Sequence, residues 1–182
     1  MDVVGIVAEY NPFHAGHAYH IAGTRRRLGE CAVVAVMSGN FVQRGDFAIL
    51  SKYARAEMAL LGGADLVLEL PAPWSAAGAE RFAQGGVAVL AATGVVTCLA
   101  FGSESGSLEP LEVAAAALDS PQYHQAVRRL TGGGAPFAAV RQEAIRSLTG
   151  SAADCLSHPN DILAVEYLRA LRRTDIQPMA LP

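Results

Sequence analysis

Glu9-Tyr10-Asn11-Pro12-Phe13-His14-Ala15-Gly16-His17 decides how this chain is read. The stretch lies between an apolar, β-branched run, Val3 to Ala8, and a helical run, Gly16 to Leu28, closed by Gly29. It is therefore the first strand-to-helix loop, with Asn11-Pro12 as its turn signal. A helix N-terminus at that point offers unpaired N–H groups and a positive dipole end to a phosphate. Gly16 lets a nucleotide approach the backbone closely. His14 and His17, three apart, can face one ligand from the first turn and stabilise charge on an α-phosphate as pyrophosphate leaves. The competing phosphate loops are absent from the sequence: no G-x-G-x-x-G follows the first strand, and no G-x-x-x-x-G-K-[ST] occurs. An isolated H-x-x-H would read as two helix-capping histidines. Pro12, Gly16 and the position after strand one favour the nucleotide. His20 continues the spacing, but it lies well around the helix from His14, and no Cys or carboxylate completes a zinc tetrahedron, so no metal is assigned.

Outward from this loop, strands and helices alternate. Cys31 to Met37 is a second strand, broken by Ser38-Gly39-Asn40, and a polar loop runs through Gly45. Ser51 caps a helix to Leu61. Asp65 to Leu70 is a third strand, Ala79 to Ala92 a helix, and Val95 to Phe101 a fourth strand stopped by Gly102. Four alternations with short links predict an α/β fold, a Rossmann-like doubly wound parallel sheet. Ligands of such sheets sit beyond the carboxyl ends of the strands, so the loops after Ala8, Met37, Leu70 and Phe101 matter most. Extra helices follow: Glu109 to Leu118, Gln122 to Leu130 and Phe137 to Leu148, split by Pro121 and Gly132-Gly133-Gly134. Asn160 is placed to cap a last helix through Leu171, and Asp175 to Pro182 starts a fifth strand. The pattern predicts one domain over 1–182 with a helical insertion at about 109–150.

Composition narrows the function. Of 182 residues 52% are apolar and 17% charged, which is a globular balance. The net charge of −3 gives no global footprint for a nucleic acid. Three scattered cysteines, Cys31, Cys98 and Cys155, make no C-x-x-C and fit a reducing cytoplasm. No basic segment precedes the first strand, so no signal peptide is expected. Phe82 to Ser103 is uncharged and long enough for a membrane span, but Gln84, Thr93, Gly94 and Thr97 interrupt it. A buried helix and a central strand are the better reading, with no membrane partner.

The opening loop resembles the signature of the HIGH-type nucleotidyltransferase superfamily, and Glu9 to His17 as a whole is similar to the bacterial tRNA(Met) cytidine acetate ligase family. Further matches are Met37-Ser38-Gly39-Asn40-Phe41-Val42-Gln43-Arg44-Gly45, Ser51-Lys52-Tyr53-Ala54-Arg55, Asp65-Leu66-Val67-Leu68-Glu69-Leu70-Pro71, Phe101-Gly102-Ser103-Glu104 and Pro159-Asn160-Asp161-Ile162-Leu163-Ala164. The resemblance implies a two-step ligase. ATP, with Mg2+, and acetate give acetyl-adenylate, and the acetyl group passes to N4 of the wobble cytidine of elongator tRNA(Met). It implies catalytic roles for His14, His17 and Lys52. It sets ATP against Val7, Ala8, Glu9, Tyr10, Asn11, Pro12, Phe13, His14, Gly16, His17, His20, Gly102 and Asn160, and acetate against Ser38, Gly39, Asn40, Gln43 and Arg44. The family's phosphate-holding loop after the fifth strand and its helical tRNA-binding region are expected beyond Pro182.

Physical readings stand beside these roles. Lys52, the only lysine in the sequence, and Arg44 form a cationic pair suited to carboxylate or phosphate oxygens. The bland reading is a solvated loop. Arg55 and Glu57 read as surface charges, and Arg25-Arg26-Arg27 as a solvated helix face, with contact to RNA phosphates as the alternative. Two other functions fit the same residues: an adenylyltransferase acting on a phosphate ester, and a catalytically incomplete nucleotide-binding module.

Overall fold

The computed structural model describes residues 1–134 and 136–182. Position 135, inside the stretch expected as a helical insertion, lies outside the described residues. Strands β1 (Asp2–Ala8), β2 (Cys31–Ser38), β3 (Leu66–Leu70), β4 (Cys98–Gly102) and β5 (Gln177–Leu181) form one sheet in the order β3-β2-β1-β4-β5. Every neighbouring pair is parallel, with Ala8 beside Met37 and Gly5 beside Leu99. The chain runs outward from β1 to β3, then returns to β4 on the other side of β1. The switch point of the sheet thus lies between β1 and β4, where the crevice of an open α/β sheet forms.

The apolar strand runs follow from burial on both faces. Along β2, Val33, Ala35 and Met37 pack with Ile21 of α1 (Ala15–Leu28) and Ala59 of α2 (Lys52–Leu61). Val34 and Val36 point the other way, into a larger core. There they meet α4 (Ala79–Ala92), α5 (Leu108–Leu118), α6 (Pro121–Leu130), α7 (Phe137–Thr149) and α8 (Pro159–Leu171); α3 (Ala72–Ser75) is a single turn before α4. Helix α4 lies directly on β1. A Cβ on Gly86 would come within 2.6 Å of Val7, and one on Gly5 within 2.5 Å of Leu90, so both glycines are needed for that approach.

Most boundaries shift by a residue or two, and two of the differences have a plain physical reason. Strand β4 starts at Cys98 rather than Val95, which is 55% exposed. Pairing begins only where the Thr97 N–H reaches the Val3 carbonyl at 2.9 Å, so propensity at Val95 and Val96 has no partner strand to act on. Asn160 does not cap α8. His158 holds the cap position without a side-chain bond and Pro159 starts the helix, because a proline at the first position needs no N–H acceptor. All three cysteines are free. Among the described residues no helix is long and apolar enough to cross a membrane.

Candidate nucleotide site

A cleft of about 1030 Å3 opens at the switch point. Its walls come from the end of β1 and its loop (Val7, Ala8, Glu9, Tyr10, Asn11, Pro12), from α1 (Gly16, His17, His20) and from the end of β4 (Phe101 to Glu104). His14, Gln43, Asn160, Leu163 and Tyr167 line it as well. Phe13 is not a lining residue. Its ring is half-buried, 5.0 Å from that of Tyr10, and packs against Gly62.

The two loop histidines are bound into the start of α1 in a defined way. His14 is the cap residue, and its Nδ1 accepts the Gly16 N–H at 3.1 Å. The His17 Nδ1 accepts the His14 N–H at 3.1 Å, closing a capping box with imidazoles in both places. A backbone N–H can only donate. Each Nδ1 is therefore unprotonated, and each neutral ring carries its proton on Nε2. The rings stack with centroids 3.7 Å apart. Burial first, then the charges of His14 and His20, push His17 down to about 4, so it is neutral at pH 7. These are cap histidines, and capping through Nδ1 leaves each ring its Nε2–H as a donor.

Tyr10 lies beneath them, its ring edge-on to His17 at 4.8 Å. It adopts φ 47, a left-handed conformation that costs a buried aromatic residue roughly 1–3 kcal/mol. Burial holds its hydroxyl above the ordinary range. The Tyr10 hydroxyl and His20 Nε2 are buried polar atoms without a hydrogen-bond partner among the described residues. Burial pushes His20 down to about 4.

The β4 corner is tied to α8. The Ser103 hydroxyl donates to Asp161 Oδ1 at 2.5 Å and accepts the Gly106 N–H at 3.1 Å. The Glu104 carboxylate accepts from the Asn160 N–H at 3.2 Å, the Asn160 amide at 3.0 Å and the Asp161 N–H at 2.9 Å. Burial alone would raise Glu104, but the N–H donors, with His158, outweigh it and hold the carboxyl below its usual value. Glu104 thus supplies the α8 cap from the opposite loop, and it fixes Asn160 at the cleft wall.

The expected acetate-side residues separate. Gln43 lines the cleft, its N–H donating to Glu9 Oε1 at 2.9 Å. Ser38, Gly39, Asn40, Arg44 and Lys52 are not among the lining residues. The Lys52 ammonium pairs with Glu69 Oε2 at 2.6 Å, and this hydrogen bond, with the Glu69 charge, raises it. Arg44 is exposed at φ 128. Of the two cations expected to act together, Lys52 is engaged by Glu69 on β3, seventeen residues away in the sequence.

Two basic groups also differ from their sequence reading. Arg55 is fully buried rather than a surface charge. Its spacing from buried Ala59 puts it on the inward face of α2, which is the signal in the sequence that exposes it. The arginine run splits. Arg25 donates to the Cys31 and Gly63 carbonyls and pairs with Asp65 at 2.8 Å. Arg27 donates to the Ala180 carbonyl, Arg26 lies over the Tyr19 ring, and both line the far end of the cleft.

Known proteins share this arrangement. A tRNA(Met) cytidine acetate ligase of Caldanaerobacter subterraneus subsp. tengcongensis is 47% identical over 178 residues, covering 95% of this chain and 44% of that protein. One from Syntrophotalea carbinolica is 46% identical over 187 residues, covering 100% of this chain and 44% of its own. The crystal structure of Thermotoga maritima TmcAL bound with alpha-thio ATP superposes with a TM-score of 0.92 at 41% identity, over all of this chain and 46% of that one. The chain spans less than half the length of these relatives. The family model for the HIGH nucleotidyl transferases matches residues 1–182. With its histidine-capped first helix and its cleft between β1 and β4, the chain belongs to the HIGH nucleotidyltransferase family.

Proposed function

We propose that the chain is the nucleotide-activating part of a tRNA(Met) cytidine acetate ligase. An acetate oxygen attacks the α-phosphorus of ATP, the bond to the bridging β-phosphate oxygen breaks, and acetyl-adenylate and pyrophosphate form. The acetyl carbonyl is then attacked by N4 of the wobble cytidine of elongator tRNA(Met), with AMP leaving. The observation that carries the reading is the pair of Nε2–H donors at the N-terminus of α1, in a switch-point cleft. Two fixed donors aimed at an oxyanion supply the charge stabilisation that α-phosphoryl transfer needs. The likeness to a nucleotide-bound relative supports it.

In this reading Gly16 and the two histidines meet the α-phosphate, Gly102 and Asn160 meet the adenosine, and Gln43 meets the acetate beside Glu9. Val7, Ala8, Tyr10, Asn11, Pro12 and His20 form the surrounding wall. A Mg2+ arriving with ATP would need few protein ligands, since phosphate oxygens and water would supply most of them. Its demand on the protein fits a cleft that offers Glu9, while Glu104 is committed to α8; no group of three or more His, Cys, Asp or Glu able to hold a metal occurs among the described residues. The ion neutralises phosphate charge when bound. Recognition of tRNA is assigned to the part of such relatives that this chain does not span, since a net charge of −3 offers RNA little. The reaction belongs to the cytoplasm.

The test is pyrophosphate release from ATP, with the acyl product trapped by hydroxylamine. Release that depends on acetate, with acetohydroxamate formed, is expected of a full-length relative, and binding of ATP of this chain. Release that depends instead on a phosphate ester would favour the other adenylyltransferase reading.

A further inference from the structure

Arg55 has the surroundings of a working part and has not been given one. Its side chain is fully buried. It donates through Nη1 to the Glu9 carbonyl at 2.6 Å and the Ser38 carbonyl at 3.0 Å, through Nη2 to the Gly39 carbonyl, and through Nε to the Leu50 carbonyl at 3.2 Å. Glu9 and Gly39 are the first residues beyond β1 and β2, and Ser38 lies past the last β1–β2 rung, Ala8 beside Met37, so the guanidinium binds carbonyls where the two strands stop pairing with each other. One planar guanidinium, with five N–H groups in a rigid fork, thus joins the nucleotide-side loop, the β2 loop and the segment before α2. A neutral surface role would not need a buried cation, whose desolvation is costly without compensating bonds.

Resting on the acetate-activation reading, we propose that Arg55 is a positioning residue that keeps the loop after β1 and the loop after β2 in one register, so that carboxylate and α-phosphate meet in line. The β1 loop carries Glu9 and leads to His14 and His17. The β2 loop leads to Gln43, whose N–H already bonds Glu9. Two ligands held on two loops react only if the loops are fixed, because misplacement by about 1 Å costs about a hundredfold in rate. Arg55 touches neither ligand. It sets the distance between the parts that do.

The experiment compares two probes by calorimetry. One is 5′-O-(N-acetylsulfamoyl)adenosine, a stable mimic of acetyl-adenylate that spans both loops. The other is adenosine 5′-sulfamate, which lacks the acetyl group. The unaltered chain should prefer the acetylated probe by about tenfold or more. In Arg55→Lys and Arg55→Gln the preference should fall to about threefold or less, with adenosine sulfamate affinity and one-to-one stoichiometry kept. A purely structural residue would instead lower stoichiometry and melting temperature for both probes alike. Full preference in either folded variant overturns the proposal, and so does loss of cooperative melting in both, which would make Arg55 a folding residue. No preference in the unaltered chain would sink the acetate reading itself, a result distinguishable because it needs no variant.

Discussion

His17→Ala, introduced into a full-length relative or an active form of this chain, is expected to slow acetyl-adenylate formation by about a hundred- to a thousandfold while changing ATP affinity little. That is the usual cost, about 2.7–4 kcal/mol, of removing one fixed donor from an oxyanion site. The ring of His17 is fixed by the His14 N–H at Nδ1, and the proposed role of its Nε2–H is to stabilise the charge that grows on the α-phosphate as pyrophosphate departs. The cap itself loses little, because that N–H is exposed and water can replace the ring. Single-turnover kinetics with separately measured ATP binding check this; equal losses in both would make His17 a ground-state contact. The pH dependence follows from the same ring. His17 and His20 ionise near 4 in the folded chain and near 6.5 when free. Between those values the unfolded chain binds more protons than the folded one, so stability rises with pH from about 4 to 6.5 and is fully present above it. A melting temperature that falls as pH drops from 6.5 to 4.5, and falls less in His20→Asn, is the expected record.

Arg169→Ala should be the most damaging single change away from the cleft. Glu166 on α8 is 1% exposed and is held by Arg169 at 2.5 Å and Arg141 at 2.6 Å. Arg169 also pairs with Asp119 at 2.8 Å, between α5 and α6. Its loss leaves a buried carboxylate half-compensated, a change that costs about 3–5 kcal/mol. With Arg141 still present the lower value applies, a fall in melting temperature of roughly 6–12 °C for a chain of this size. Adding Glu166→Gln should recover part of it by removing the stranded charge. If the double variant is no better than the single, the loss is one of packing and the electrostatic account is wrong. Helix α8 carries Asn160, Leu163 and Tyr167 into the cleft wall, so ATP affinity should weaken with the fold.

The frame of this molecule was readable from residue patterns because a strand buried on both faces leaves a plain mark. Val3 to Ala8 and Cys31 to Met37 are continuous apolar runs. The histidine loop was readable because its neighbours on the chain are its neighbours in space. What escaped the sequence is held by long-range partners. Glu104 caps α8 from fifty-six residues away, so Asn160 was given a role that belongs to a side chain on another loop. Glu69 pairs with Lys52, and nothing local to the lysine signals that. Arg55 reads as polar and hence exposed; only its register with Ala59 and four carbonyl acceptors, three of them distant in sequence, make it an interior residue.

The central claim is that the α-phosphate of ATP meets the Nε2–H edge of the stacked imidazoles of His14 and His17 at the start of α1. The most direct measurement is a crystal structure of this chain with a non-hydrolysable ATP analogue. The account predicts an α-phosphate oxygen within hydrogen-bond distance, about 2.7–3.2 Å, of at least one Nε2, with the adenosine against Gly102 and Asn160. An analogue seated with its α-phosphate away from both rings, at Arg26 and Arg27 or outside the cleft, would contradict it.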